Sequence, residues 1–471
     1  MNFKKHDHHT KTNLLAHISK GLLITIIALF GLISCESFVE VEPPKERLIS
    51  ETVFEDAATV KSALANIYVK MRQEGLVSGN FGLSISMGIY SDELDYFGTS
   101  PDILKLYSHN VLASDGSISN WWNHAYNLIY ASNAIIEGVG QSETLDEVDK
   151  TKFIGQALFV KAYMHSLLIS LFGEVPYITT TDYIKNNVAT RSTVSEVYQK
   201  MIKDLNNAAN MLEGLDMGGE NIVPNQHAVQ ALLARLYLYS EDWTEAEAMA
   251  TELIDGHELE DIDKVFLKNS KETLWQLKLG DNPVNTNEAL QLIISFIPTQ
   301  GVALTDGLLN AFEPNDLRYE HWTESITSSD GLTTLYYAYK YKATHNTTTV
   351  SEEYPIVFRL AEQYLIRAEA RAHLGNITGA QEDINRIRNR AGLGDIAANN
   401  KIALIDAIVQ ERRIELFTEQ GHRWFDLNRW ELSDDLLTPL KSGWRNTDML
   451  FPIPEIELEL NPNLKPQNSG Y

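Results

Sequence analysis

Leu233-Ala234-Arg235-Leu236-Tyr237-Leu238-Tyr239-Ser240-Glu241-Asp242-Trp243-Thr244-Glu245-Ala246 is the stretch on which the fold turns. Ala234 and Ala246 stand twelve apart in two segments of helical periodicity, 225–240 and 243–255. A small residue in each of two antiparallel helices lets the backbones approach closely, so the stretch predicts a helical hairpin. Ala368 and Ala380 repeat the spacing of twelve in the segments 359–374 and 378–390. Farther out, Val60, Leu64, Ile67, Tyr68 and Met71 mark a helix over 56–73, and others are predicted near 120–138, 151–172, 193–213 and 402–418. The stretch between 257 and 357 differs, being rich in Thr, Tyr, Asn and Gly, with an alternating run Leu335-Tyr336-Tyr337-Ala338-Tyr339-Lys340 that reads as strand. The expected class is mainly α, a scaffold of helical hairpins with a long loop-rich, partly β insert.

Leu233-Ala234, Tyr237 and Ala246 fall where a tetratricopeptide unit places its small and aromatic packing residues, and the hairpins resemble that repeat. The two units are far apart in the chain. The expectation is therefore a tetratricopeptide-like scaffold carrying long insertions, not a regular solenoid.

The 471 residues hold 39 basic and 64 acidic side chains, a net charge of −25, and 44% are apolar. Such a chain builds a core without staples, and its acid excess repels a phosphate backbone, which argues against nucleic acid as a partner. The one cysteine, Cys35, excludes an intramolecular disulfide and a multi-cysteine metal site. Lys4, Lys5, Lys11 and Lys20 precede an apolar run from Gly21 to Ile33, a secretory signal layout shorter than the about 20 apolar residues of a membrane span. Leu32-Ile33-Ser34-Cys35 resembles a bacterial lipobox, which implies a signal peptide over 1–34 and lipid attachment at Cys35; the plainer alternative is a free thiol behind a signal peptide. Cleavage there removes four lysines, one aspartate and the cluster His6, His8 and His9, and leaves a net charge of −28. Glu36, Glu40, Glu42 and Pro43-Pro44 make 35–48 an acidic extended tether. An N-terminal helical region over 49–256 and a C-terminal region over 257–471, which holds the insert, are expected to form one body.

The C-terminal third carries longer strings. Arg359-Leu360-Ala361-Glu362-Gln363-Tyr364-Leu365-Ile366-Arg367-Ala368-Glu369-Ala370, Glu411-Arg412-Arg413-Ile414-Glu415-Leu416, Gly421-His422-Arg423-Trp424-Phe425-Asp426-Leu427-Asn428-Arg429-Trp430 and Phe451-Pro452-Ile453-Pro454 resemble the RagB/SusD family of nutrient-uptake lipoproteins. The ending Gln467-Asn468-Ser469-Gly470-Tyr471 and the N-terminal motifs Ser91-Asp92-Glu93 and Trp122-Asn123-His124-Ala125-Tyr126 extend the resemblance over essentially all of the chain past Cys35. The resemblance implies a helical scaffold with a loop-rich face, docked as a lid on a SusC-like TonB-dependent transporter in the outer membrane. It also implies a ligand, an oligosaccharide for most members and a peptide for some, that is bound without catalysis.

Glu411, Glu415 and Asp426 invite a glycosidase reading, which needs two acids flanking a bond. Arg412, Arg413, Arg423 and Arg429 lie among them, so a charge-paired network between packed helices is favoured, and the same is expected of Glu362 with Arg367 and Glu369 with Arg371. Sugar binding calls instead for aromatic faces on loops with amides or carboxylates nearby. Asp95, Tyr96 and Phe97, after Ser91-Asp92-Glu93, and Trp322 in the insert are the ligand-binding candidates; Tyr107, Trp275, Tyr336, Tyr337, Tyr339 and Tyr341 offer further rings, for any one of which core packing is favoured over a ligand platform. Trp122, Tyr126 and Ile129 share a helix face, which also favours core. No phosphate loop, His-Glu-x-x-His or Gly-x-Ser-x-Gly motif occurs, and the acidic run 255–263 lacks the spacing of a calcium loop, so neither cofactor nor metal is expected. The rivals to a binding protein are an anchored glycosidase and a tetratricopeptide interaction scaffold with no small ligand.

Overall fold

Short polar side chains start the helices. In the computed structural model, which describes residues 53–215, 217–280, 286–343 and 351–471, Asp56 accepts from the backbone N–H groups of Ala58 and Thr59 to open α1 (Ala57–Gln73). Two long helices follow, α2 (Gly116–Gln141) and α3 (Glu147–Phe172), and then α4 (Val194–Leu212), opened by a reciprocal capping box of Thr193 and Glu196. Asn225, Asp242, Asn376 and Asn400 cap α5 (Gln226–Tyr239), α6 (Trp243–Gly256), α8 (Ile377–Arg390) and α9 (Lys401–Glu415), while α7 (Leu360–His373) and α10 (His422–Arg429) have no side-chain cap. Each such cap is worth about 1 kcal/mol. Signal peptide, Cys35 and tether lie outside the described residues; residues 54–471 form one compact unit.

The two small-residue hairpins are matched bond for bond. Asp242 N donates to Tyr237 O at 2.9 Å, and Asn376 N to Arg371 O at 2.8 Å; the residue before each cap, Glu241 (φ 61°) or Gly375 (φ 82°), is left-handed. Ala234, Ala246 and Ala250 of the first hairpin pack with Ile366 and Ala370 of α7, and Ala368, Ala372 and Ala380 of the second pack with Leu404 and Ile408 of α9. The helices α5 to α9 thus stack in sequence order although about a hundred residues separate α6 from α7. On the other side, α3 is the central helix, packed by α2 and α4. It is long and apolar enough to cross a membrane, yet 89% of its most apolar window is buried inside the protein, as suits a core helix.

Short strands zip the insert to the scaffold: β1 (Leu94–Tyr96), β2 (Thr273–Gln276), β3 (Val302–Leu304), β4 (Thr323–Thr327), β5 (Thr334–Ala338) and β6 (Ile356–Arg359). They pair antiparallel in twos, with Asp95 opposite Ala303, Trp275 opposite Phe358 and Ser325 opposite Tyr336. The β2–β6 ladder closes the insert where it leaves and re-enters the helices. The strand expected to reach Lys340 stops at Ala338, because the Lys340 ammonium turns inward to donate to Glu415 O (2.9 Å) and Phe417 O (2.8 Å). The helix expected to reach 418 stops at Glu415, ahead of left-handed Thr418, Gln420 and Gly421. The helix Leu83–Tyr90 is buried at every residue, so no amphipathic period announces it in the sequence.

Candidate functional site

Under the insert, the acids of the C-terminal motifs meet guanidinium groups. Glu415 accepts from Arg318 (3.1 Å), Arg359 (2.6 Å) and Arg390, and Glu411 from Arg318 and Arg388 (3.4 Å). Asp426 is held by Arg412 (2.7 Å) and Arg429 (2.8 Å). Arg413 and Arg423 both reach Asp92 of the Ser91-Asp92-Glu93 motif, each at 2.7 Å. Burial alone would raise Glu415, but Arg390, Arg359 and Arg318 together hold it well below the usual carboxylate range. For Asp92, Arg423 and Arg413 likewise outweigh burial and lower it, whereas burial and the neighbouring Asp92 charge push Glu93 up to about 8.

Two expected pairs are different. Glu362 binds Arg235 (2.7 Å) and Arg367 binds Asp383 (2.7 Å); Glu369 binds Arg429, while Arg371 binds Glu247 (2.9 Å) and Asp383 (2.9 Å). Residues two or five apart on a helix do not face each other, so these side chains find partners on neighbouring helices.

Above this lattice, the β1–β3 ladder presents three of the candidates. Asp95 accepts from the Tyr107 hydroxyl at 2.8 Å, and Lys441 stands 4.0 Å from the Tyr107 ring centroid, its pKa lowered to about 8 chiefly by burial. Tyr96 Oη accepts from Ser100 N at 3.1 Å, which folds the ring back over Gly98. A Cβ at 98 would lie 2.2 Å from Tyr96 Oη and 2.6 Å from Gln300 O, so only glycine fits there. Phe97 N donates to Gly301 O at 2.9 Å, and the ring is left 43% exposed. Phe296, exposed on the segment entering β3, adds a second free ring.

Trp322 is a correction. It is 1% exposed, donates Nε1–H to Ile262 O at 2.9 Å, meets Phe266 edge-on at 5.4 Å and lies 4.8 Å under the Lys340 ammonium. A turn-rich neighbourhood in sequence does not keep an indole outside when a carbonyl and a cation wait within. The neighbouring Tyr319, unremarked in the sequence, is instead half-exposed and paired with Tyr336 at 6.4 Å between ring centroids, and both line a cleft of about 610 Å³ with Phe312, Asn310 and Glu320. The polar turn Glu313-Pro314-Asn315-Asp316 before it is the same signal that singled out Tyr96. Cleft and Phe97 sit at opposite ends of β3, separated by residues 301 to 305, about 13 Å of extended chain. Among the described residues no group of three or more His, Cys, Asp or Glu is arranged to hold a metal.

Comparison with known proteins accounts for this arrangement. The SusD family model matches residues 286–471, and a SusD-like model described as "Starch-binding associating with outer membrane" matches 37–238. The chain belongs to the SusD/RagB family. A SusD-like protein, P2, of Formosa agariphila is 26% identical over 96% of this chain and 100% of its own. Two solved structures share the SusD fold: a SusD superfamily protein from Bacteroides vulgatus (TM-score 0.79, 22% identity, 89% of this chain and 100% of that one) and surface glycan-binding protein A from Bacteroides fluxus (TM-score 0.72, 21%, 88% and 99%). The SusD scaffold here is thus a mainly helical body with an insert, closed by β2 and β6, whose strand β3 has Phe97 beside one end and the Tyr319–Tyr336 cleft past the other.

Proposed function

We propose that this chain is a lipid-anchored cell-surface protein of the outer membrane that binds an oligosaccharide and passes it to a SusC-like TonB-dependent transporter without transforming it. The observation that carries the reading is Phe97, an aromatic face left exposed beside the hydrogen-bonded β1–β3 ladder, with Asn310, Tyr319 and Tyr336 around the cleft past the far end of β3. Apolar patches of sugar rings pack on such faces while amides and carboxylates fix hydroxyls. Glycan binding by a SusD-fold relative supports the ligand class. The arginine-paired state of Glu411, Glu415, Asp426 and Asp92 favours binding over hydrolysis, since a glycosidase needs one acid free to give a proton.

Titration calorimetry against neutral hexasaccharides and a peptide panel tests this. Phe97→Ala and Tyr336→Ala are each expected to weaken binding about tenfold, the worth of one stacked ring. Release of shorter sugars by the purified protein would overturn the non-catalytic reading. For the anchor, Cys35→Ser should move the protein from membrane to soluble fractions, and for the partner, the transporter should co-purify in high salt.

A further inference from the structure

A second face carries side chains that the reading above does not use. On α2, Asn123, Tyr126, Asn127 and Tyr130 recur at i, i+3, i+4 and i+7, one face of a helix. A face that packs into a core fills those places with apolar residues. This one is amide and phenol throughout, and it forms one wall of a groove of about 410 Å³ whose other walls are residues 176–187 and 457–464. Those walls are built in place: Tyr126 Oη donates to Pro176 O (2.9 Å), Asn133 Nδ2 to Ile178 O (3.2 Å), Asn461 Nδ2 to Ala189 O (2.8 Å) and Asn463 Nδ2 to Val188 O (2.9 Å). Three amides and two rings at the groove are left over. The side chains of Asn123, Asn127 and Asn187 are exposed and hydrogen-bond to nothing among the described residues, and the rings of Tyr130 and Tyr183 are 51% and 69% exposed. Preformed walls with free rings and free amides lower the ordering cost of binding.

The lining chemistry selects the ligand. No lysine or arginine lines the groove and Glu457 is its one ionisable acid, in a protein already strongly negative, so sulfated or uronic glycans are repelled. We propose that this groove is a second glycan site, which takes a neutral oligosaccharide segment with sugar rings on Tyr130 and Tyr183 and hydroxyls on Asn123, Asn127 and Asn187. The proposal rests on the carbohydrate reading of the Phe97 face. Two sites on one body let a long polymer engage both, so chain length raises avidity without any new contact.

The test is calorimetry of the purified protein with laminarihexaose, maltohexaose, cellohexaose and xylohexaose, and affinity electrophoresis in the matching polymers. Wild type is expected to show two binding events. Phe97→Ala should weaken one about tenfold, and the double variant Tyr130→Ala/Tyr183→Ala should weaken the other at least tenfold while leaving the melting temperature unchanged, because both rings are exposed. Tyr130→Phe/Tyr183→Phe should retain it. A single event that Phe97→Ala weakens overturns the second site and leaves the first standing, as does a double variant that binds like wild type. Normal sugar binding with loss of transporter co-purification in that variant reassigns the groove to a protein contact, for which exposed Ile184, Val188 and Leu460 at its edge would then answer. If no hexasaccharide binds wild type, both sites fall together.

Discussion

Trp322 and Phe97 sit in similar sequence surroundings and end in opposite environments. Phe97 follows a ladder residue and is left 43% exposed, whereas Trp322 ends a short helix, Leu317–Trp322, directed into the core. Trp322→Ala should therefore cost about 3–5 kcal/mol of stability in urea unfolding, the range for a large buried aromatic. Phe97→Ala should leave stability unchanged. His165 shows a second residue-scale effect: its ring donates from Nδ1 to Lys161 O at 2.8 Å and accepts at Nε2 from Ile178 N at 3.2 Å, and burial lowers its pKa to about 3. Folded His165 stays neutral while the unfolded chain takes up a proton below the ordinary value of about 6.5. Stability is thus full above about pH 6.5 and falls by about 1.4 kcal/mol per pH unit for this residue down to about 3, measurable as a steeper acid loss in wild type than in His165→Asn.

At the scale of elements, the spacing of small residues was legible because it is local. Ala234 and Ala246 are fully buried where α5 and α6 meet, and α7 closes on the same cluster. Ala246→Leu is expected to cost about 1–3 kcal/mol through overpacking, and Asp242→Ala about 1 kcal/mol through the lost cap, both read from thermal unfolding. The helix Leu83–Tyr90 was not legible, since an element buried on all sides has no polar face to set a period. The β1–β3 pairing was not legible either. It joins residues about 200 apart, and a three-residue strand carries too little pattern to name its partner.

Across the whole molecule, the lattice around Glu415 binds the insert to the last helices: Arg318 and Arg359 come from the insert and its closing strand, Arg390 from α8 and Glu415 from α9. Removing one partner strands several buried charges, so Glu415→Gln should cost about 3–5 kcal/mol. Glu415 is held below its unfolded value, so its contribution is present above the ordinary carboxylate range and is lost as pH falls through the depressed folded value. The sequence by itself determined the helical hairpins, the presence of an irregular insert and the mixing of arginines with acids, because period and charge pattern lie within a few residues of each other. Only the tertiary structure decided which guanidinium meets which carboxylate, that Trp322 is inside and Phe97 outside, and that an amide and phenol stripe on α2 faces a groove. Those depend on contacts between residues tens to hundreds apart, which chain-local patterns do not encode.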